Sequence, residues 1–126
     1  MSLSKRRVFV VDDSQTVRKN LSEILVKEGY EVIEATNGTE ALKRLGQEWF
    51  DLILMDLEMP GLNGFELLRI IEAGNLAKDV PILVITGTHK DLAAVHEIKK
   101  LGASGFIDKS LPPEELLFHI SQCLPK

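Results

Sequence analysis

Val8-Phe9-Val10-Val11-Asp12-Asp13 is the stretch from which the fold is read: four apolar residues in a row, then two carboxylates. The apolar run does not alternate with polar residues, so both faces of the segment want cover, as in a parallel sheet sandwiched between helices. The same form recurs down the chain. Leu52-Ile53-Leu54-Met55 breaks off at Asp56, Ile82-Leu83-Val84-Ile85 at Thr86, and Gly105-Phe106-Ile107 runs out just before Lys109. If these runs are neighbouring parallel strands, their carboxyl ends share one rim. Asp12, Asp13, Asp56, Thr86 and Lys109, far apart in sequence, then fall into one small volume.

Helical patterns fill the gaps between the runs. Val17, Leu21, Ile24 and Leu25 recur at helical spacing, with Gly29 as the stop. Val32-Ile33 reads as a second, shorter strand at a sheet edge. Thr36-Asn37-Gly38 leads into a second helix marked by Ala41, Leu42 and Leu45. A turn-rich loop, Met59 to Gly64, precedes a third helix carrying Leu67, Leu68 and Ile71 and stopping near Gly74. Leu92, Val95, Ile98 and Leu101 give a fourth, ending at Gly102; Pro113 opens a fifth, carrying Leu116, Leu117, Ile120 and Leu124. Five strand-helix units follow one another without a break in composition, and right-handed crossovers place helices on both faces of the sheet. The expected class is a doubly wound α/β domain over residues 1–126, its core about 6–124, with Met1-Ser2-Leu3 read as a possible expression remnant.

Bulk properties exclude several classes. The 126 residues are 44% apolar and 27% charged, ordinary for a soluble globular domain. No apolar stretch reaches bilayer length and no signal-peptide pattern opens the chain. Cys123 is the single cysteine, which excludes an internal disulfide and points to a reducing compartment, the cytoplasm. A net charge of −4 argues against direct nucleic-acid binding. Lys5-Arg6-Arg7 reads as a solvated lead-in to the first strand. His89, His96 and His119 share no metal-ligand spacing, and Met55 and Met59 read as packing residues.

The rim residues carry the chemistry. Three carboxylates in one place repel one another unless a cation lies between them, and a lysine and a hydroxyl beside them suit the oxygens of a phosphoryl group. A carboxylate can attack phosphorus and hold the group as an acyl phosphate. The transfer asks for positioning and charge neutralisation more than for a strong base. Magnesium, a hard ion that takes oxygen ligands, answers both needs. Taken singly, each residue has an ordinary alternative: Asp12 or Asp13 as a helix cap, Asp56 as a turn former, Thr86 as a strand end. Jointly, at four strand ends, they are hard to assign to capping.

With Val10-Val11-Asp12-Asp13-Ser14, Leu54 through Gly61, Ile85-Thr86-Gly87, and Gly102-Ala103 through Lys109, the chain resembles the receiver domains of two-component response regulators from about Arg6 to Leu124. The resemblance implies a flavodoxin-like sheet of order 2-1-3-4-5. It implies that Asp56 accepts a phosphoryl group from a sensor histidine kinase, a phosphotransfer protein or a small phosphodonor. Asp13, Asp56 and the backbone carbonyl of Glu58 are implied as Mg2+ ligands, with Asp12 acting through water. Lys109 and Thr86 are implied to contact the phosphoryl oxygens. The resemblance further implies that on phosphorylation Thr86 moves toward them and Phe106 turns inward behind it, altering the face of the fourth helix, fifth strand and fifth helix for an output partner or a homodimer. The same likeness makes the domain a signalling phosphoacceptor, not an enzyme acting on a separate substrate.

One position departs from the family's pattern. Ser110 follows Lys109 where the family usually has proline, often after a cis bond; the prolines here come later, at Pro112 and Pro113. A cis bond before a non-proline residue costs roughly 2.5–4 kcal/mol, so either a trans bond with a rearranged loop or a cis bond held by local contacts is expected. Glu58 adds an acidic side chain near Asp56. Two rivals remain: a receiver-like binding module that is never phosphorylated, and a phosphatase of the haloacid dehalogenase type. The latter wants a second aspartate two residues after the first, whereas Ser14 stands two places after Asp12 and Gln15 two places after Asp13. Neither a G-x-G-x-x-G nor a P-loop pattern is present.

Overall fold

The computed structural model describes residues 5–87 and 92–124, and within 92–95 the backbone only. Five strands and five helices alternate: β1 (Arg7–Val11), α1 (Gln15–Lys27), β2 (Glu31–Ala35), α2 (Gly38–Leu45), β3 (Leu52–Asp56), α3 (Gly64–Gly74), β4 (Ile82–Thr86), α4 (Leu92–Lys100), β5 (Gly105–Asp108) and α5 (Pro113–Cys123). All pairings are parallel and the order is β2-β1-β3-β4-β5. β3 and β4 are buried at every position, as unbroken apolar runs require.

β2 lies at the edge as expected, but it is not short. It matches β1 residue for residue from Arg7↔Glu31 to Val11↔Ala35. Glu31 and Glu34 disguise its length, because the exposed side of an edge strand tolerates charge. The shortest strand is β5, with four residues at the other edge.

Two apolar layers clamp the sheet. On one side Phe9, Val11, Ile53, Met55 and Val84 meet Leu67, Leu68 and Ile71 of α3 and Ile98 of α4. On the other, Val8, Val10, Leu54, Leu83, Ile85 and Ile107 meet Leu21 and Leu25 of α1 and Leu116 and Ile120 of α5. The alternation of side chains along each strand divides them between the layers.

The helix ends follow their sequence signals. Ser14 caps α1, its side chain accepting from Val17 N, and Asn37 caps α2 through Glu40 N. Asn63 and Glu66 form a reciprocal capping box on α3. Gly29 and Gly102, at φ +98° and +102°, take the left-handed conformation that stops α1 and α4. No helix among the described residues is long and apolar enough to cross a membrane.

Candidate phosphoacceptor site

The sheet register delivers the rim. Val11 pairs with Met55, so Asp12 and Asp56 leave neighbouring strands at the same level. Asp12 N donates to Ala35 O (3.2 Å), which ties the end of β1 to β2, and Asp12 Oδ1 accepts from Ser14 N (2.9 Å), turning the chain into α1. Arg18 reaches back from α1 to the Asp12 carbonyl (2.8 Å) while it pairs with Glu34 of β2 (3.0 Å). Glu58 N donates to Asp56 Oδ1 (3.2 Å). Behind that turn, Gly64 N donates to Leu57 O (2.9 Å), and a Cβ on Gly64 would lie 2.6 Å from Leu57 Cα and 2.7 Å from Asp56 O. Only a glycine lets α3 start so close to the end of β3.

Each of Asp12, Asp13 and Asp56 offers one carboxylate oxygen, and the three lie within 4.8 Å of one another. Asp12 and Asp56 are 1% and 2% exposed, while Asp13 faces solvent. Lys109 Nζ stands 3.1 Å from Asp12 Oδ2 and 3.3 Å from Asp56 Oδ2. Among the described residues, Asp12 Oδ2 nevertheless has no aligned hydrogen-bond donor. The Lys109 contact is close enough for an ion pair but lies off the bonding direction, so this buried oxygen keeps unused acceptor capacity. Three carboxylates against one ammonium leave two negative charges uncompensated within the group when all are ionised.

Burial pushes the Asp56 carboxyl above its ordinary value and the charge of Asp12 adds to the rise, while the Glu58 N–H and Lys109 oppose it. Burial alone would lower Lys109, but contact with Asp12 and the charges of Asp56 and Asp12 outweigh it, so its pKa ends above the usual lysine value. The ammonium is therefore fixed in charge at neutral pH. Thr86 is buried at the end of β4, and its carbonyl accepts from Lys109 N (3.0 Å).

Asp12, Asp13, Asp56 and Lys109 thus converge, and Thr86 sits on the same rim. Glu58 is exposed and held to Asp56 through its N–H. Phe106 is half-buried against the α3/α4 layer. His96 and His119 are exposed on α4 and α5, and His89 lies outside the described residues. The described residues contain no cis peptide bond, so the Lys109–Ser110 bond is trans. Sequence reasoning missed Arg18 and Gly64. A lone arginine in a helix carries no local signal of a back-reach to Asp12, and Gly64 read only as loop composition.

The donor set fits a hard divalent ion: oxygen ligands only, excess negative charge, and a buried carboxylate oxygen with capacity to spare. Comparisons with known proteins show the family. Residues 8–121 match the response regulator receiver domain, and the chain belongs to that family. It is 35% identical to the chemotaxis protein CheY4 of Vibrio cholerae, whose crystal structure superposes with a TM-score of 0.90 over 96% of this chain and 100% of that one. Protein PilH of Pseudomonas aeruginosa is 34% identical over 94% of this chain and 97% of its own. The CAI-1 autoinducer sensor kinase/phosphatase CqsS of Vibrio cholerae is 39% identical over 92% of this chain, which spans only 17% of CqsS. Receiver domains of this family are signalling phosphoacceptors that work with histidine kinases and output domains and typically bind Mg2+ through acidic residues.

Proposed function

We propose that this chain is a phosphoacceptor receiver acting through Asp56, as one unit over about residues 6–124. The observation that carries the reading is the convergence of three carboxylates with Lys109 poised between two of them. A carboxylate oxygen of Asp56 attacks the phosphorus of a phosphohistidine or small acyl phosphate. The new O–P bond forms as the bond to the donor breaks, and the leaving group departs with the electron pair. Asp56 needs no base, because it reacts as the carboxylate. Lys109 and the Thr86 hydroxyl receive the phosphoryl oxygens, and Glu58 N–H orients the acceptor.

Asp13, Asp56 and the Glu58 carbonyl would hold Mg2+, with Asp12 assisting through water; when bound, the ion supplies positive charge against the carboxylates and the incoming group. The phosphorylated domain gains roughly −1.5 to −2 charge at Asp56. Thr86 and Phe106 relay it to the face of α4, β5 and α5, which meets an output partner or a second copy. A sensor histidine kinase as partner and a cytoplasmic setting belong to the same reading, and the domain's own chemistry is limited to gaining and losing this one group.

Incubation with acetyl phosphate and MgCl2, followed by intact-mass measurement, tests the reading. One labile phosphoryl group is expected, absent without Mg2+ and absent in Asp56→Asn. No gain with acetyl phosphate or phosphoramidate would overturn it in favour of a non-phosphorylated binding module.

A further inference from the structure

Lys109 lies one residue beyond the end of an edge strand, where a chain ordinarily frays. Its side chain must still reach between Asp12 and Asp56. A cavity of about 200 Å3 between α1 and α5, lined in part by Val17, Ile24, Lys109, Leu111 and Leu116, leaves room for the aliphatic stem to swing away. Something has to fix the backbone from which the stem departs.

The upstream tie is Lys109 N to Thr86 O (3.0 Å). The downstream tie comes from the residue before it. Asp108 Oδ1 accepts from Ser110 N (2.8 Å) and from Ser110 Oγ (2.7 Å), and Asp108 O accepts from Leu111 N (3.1 Å). Lys109 is therefore the middle of a turn whose two flanks are joined by one carboxylate. A short acceptor side chain bonding the N–H two residues on suits Asp or Asn, and a longer side chain spoils the ring.

We propose that Asp108 is a positioning residue for phosphoryl transfer: its turn with Ser110 holds Lys109 over the acceptor. The inference rests on Asp56 being the acceptor. Ser110 is integral to the device, because its N–H and hydroxyl both bond Asp108, and a proline there would supply neither. Asp108 acts through geometry rather than charge, and that separates its variants. Asp108→Asn keeps the acceptor oxygen and loses the charge; Asp108→Glu keeps the charge and loses the ring.

The test measures the rate of acetyl phosphate-driven phosphorylation by intact mass, Mg2+ affinity by titration calorimetry, and amide exchange at Ser110. Asp108→Ala and Asp108→Glu are expected to slow phosphorylation by roughly ten- to a hundredfold, the upper figure being the scale of a group misplaced by about 1 Å. Mg2+ affinity should not fall, because the carboxylates are untouched and the ammonium that competes for them is loosened, and the Ser110 amide should lose protection. Asp108→Asn should keep both the wild-type rate and the protection. If Asp108→Ala does not fold, the Asn/Glu pair still decides. Glu as fast as wild type, or Asn as slow as Glu, would overturn the inference while leaving the acceptor assignment standing. A wild-type protein that takes no phosphoryl group would instead overturn both.

Discussion

Asp56 is the residue where burial and the proposed function conflict. Its carboxyl is 2% exposed and its pKa is raised, burial being the main cause. Between the ordinary value of 3.8 and the raised folded value, the folded protein binds more protons than the unfolded chain. Stability from this group is therefore greatest in acid and declines as pH rises through that window. Urea midpoints of the metal-free protein at stepped pH should show this decline, and Asp56→Asn should flatten it. The neutral amide removes the cost of a buried, repelled charge, so Asp56→Asn is also expected to raise metal-free stability at neutral pH. On the proposed reading, Mg2+ would oppose the same cost from the other direction. At a hundred times its dissociation constant it should stabilise the wild type by about 2.7 kcal/mol. Thermal melts should show that gain in the wild type, and much less of it in Asp13→Asn at the same Mg2+ concentration.

The elements act on the site through how closely they approach. α3 begins directly against the end of β3, and Gly64→Ala would force its Cβ within 2.7 Å of two backbone atoms. Overpacking of this kind costs about 1–3 kcal/mol. The atoms displaced belong to Asp56 and Leu57, so Mg2+ affinity should fall along with stability; denaturant titration and calorimetry on Gly64→Ala check the two together. β1 is held differently. Arg18 of α1 ties the Asp12 carbonyl to Glu34 of β2, and Ser22 Oγ also donates to Glu34 (3.0 Å). Sequence periodicity located α1 through Val17, Leu21, Ile24 and Leu25, yet it was silent on Arg18 because this contact lies on the polar side of the helix. The length of β2 is hidden for a related reason: the exposed Glu31 and Glu34 flank Val32-Ile33 and leave an apolar run of only two residues.

On the scale of the whole molecule the sheet has two ends with different work. The carboxyl end holds the acidic rim. The amino end is a packed clamp, where Arg7 pairs with Glu31 (2.7 Å) and Glu48 (2.8 Å) and lies 5.1 Å from the centre of the Trp49 ring. Trp49 precedes β3 and Asp56 ends it, a separation of roughly 20 Å at ~3.3 Å per strand residue. Tryptophan emission should therefore change little when Mg2+ is added to folded protein; a large quench would contradict the geometry. The sequence by itself determined the strand-helix alternation and which residues end the strands, because burial on both faces leaves unbroken apolar runs whose breaks are visible as letters. It also placed Asp12, Asp13, Asp56, Thr86 and Lys109 on a common rim, since parallel strands send all their carboxyl ends one way. Tertiary structure alone decided the distances within that rim, the unmatched oxygen on Asp12, and the backbone ties through Gly64, Arg18 and Asp108. Those depend on atoms from segments remote in the chain coming within hydrogen-bonding reach, and no local pattern records such an approach.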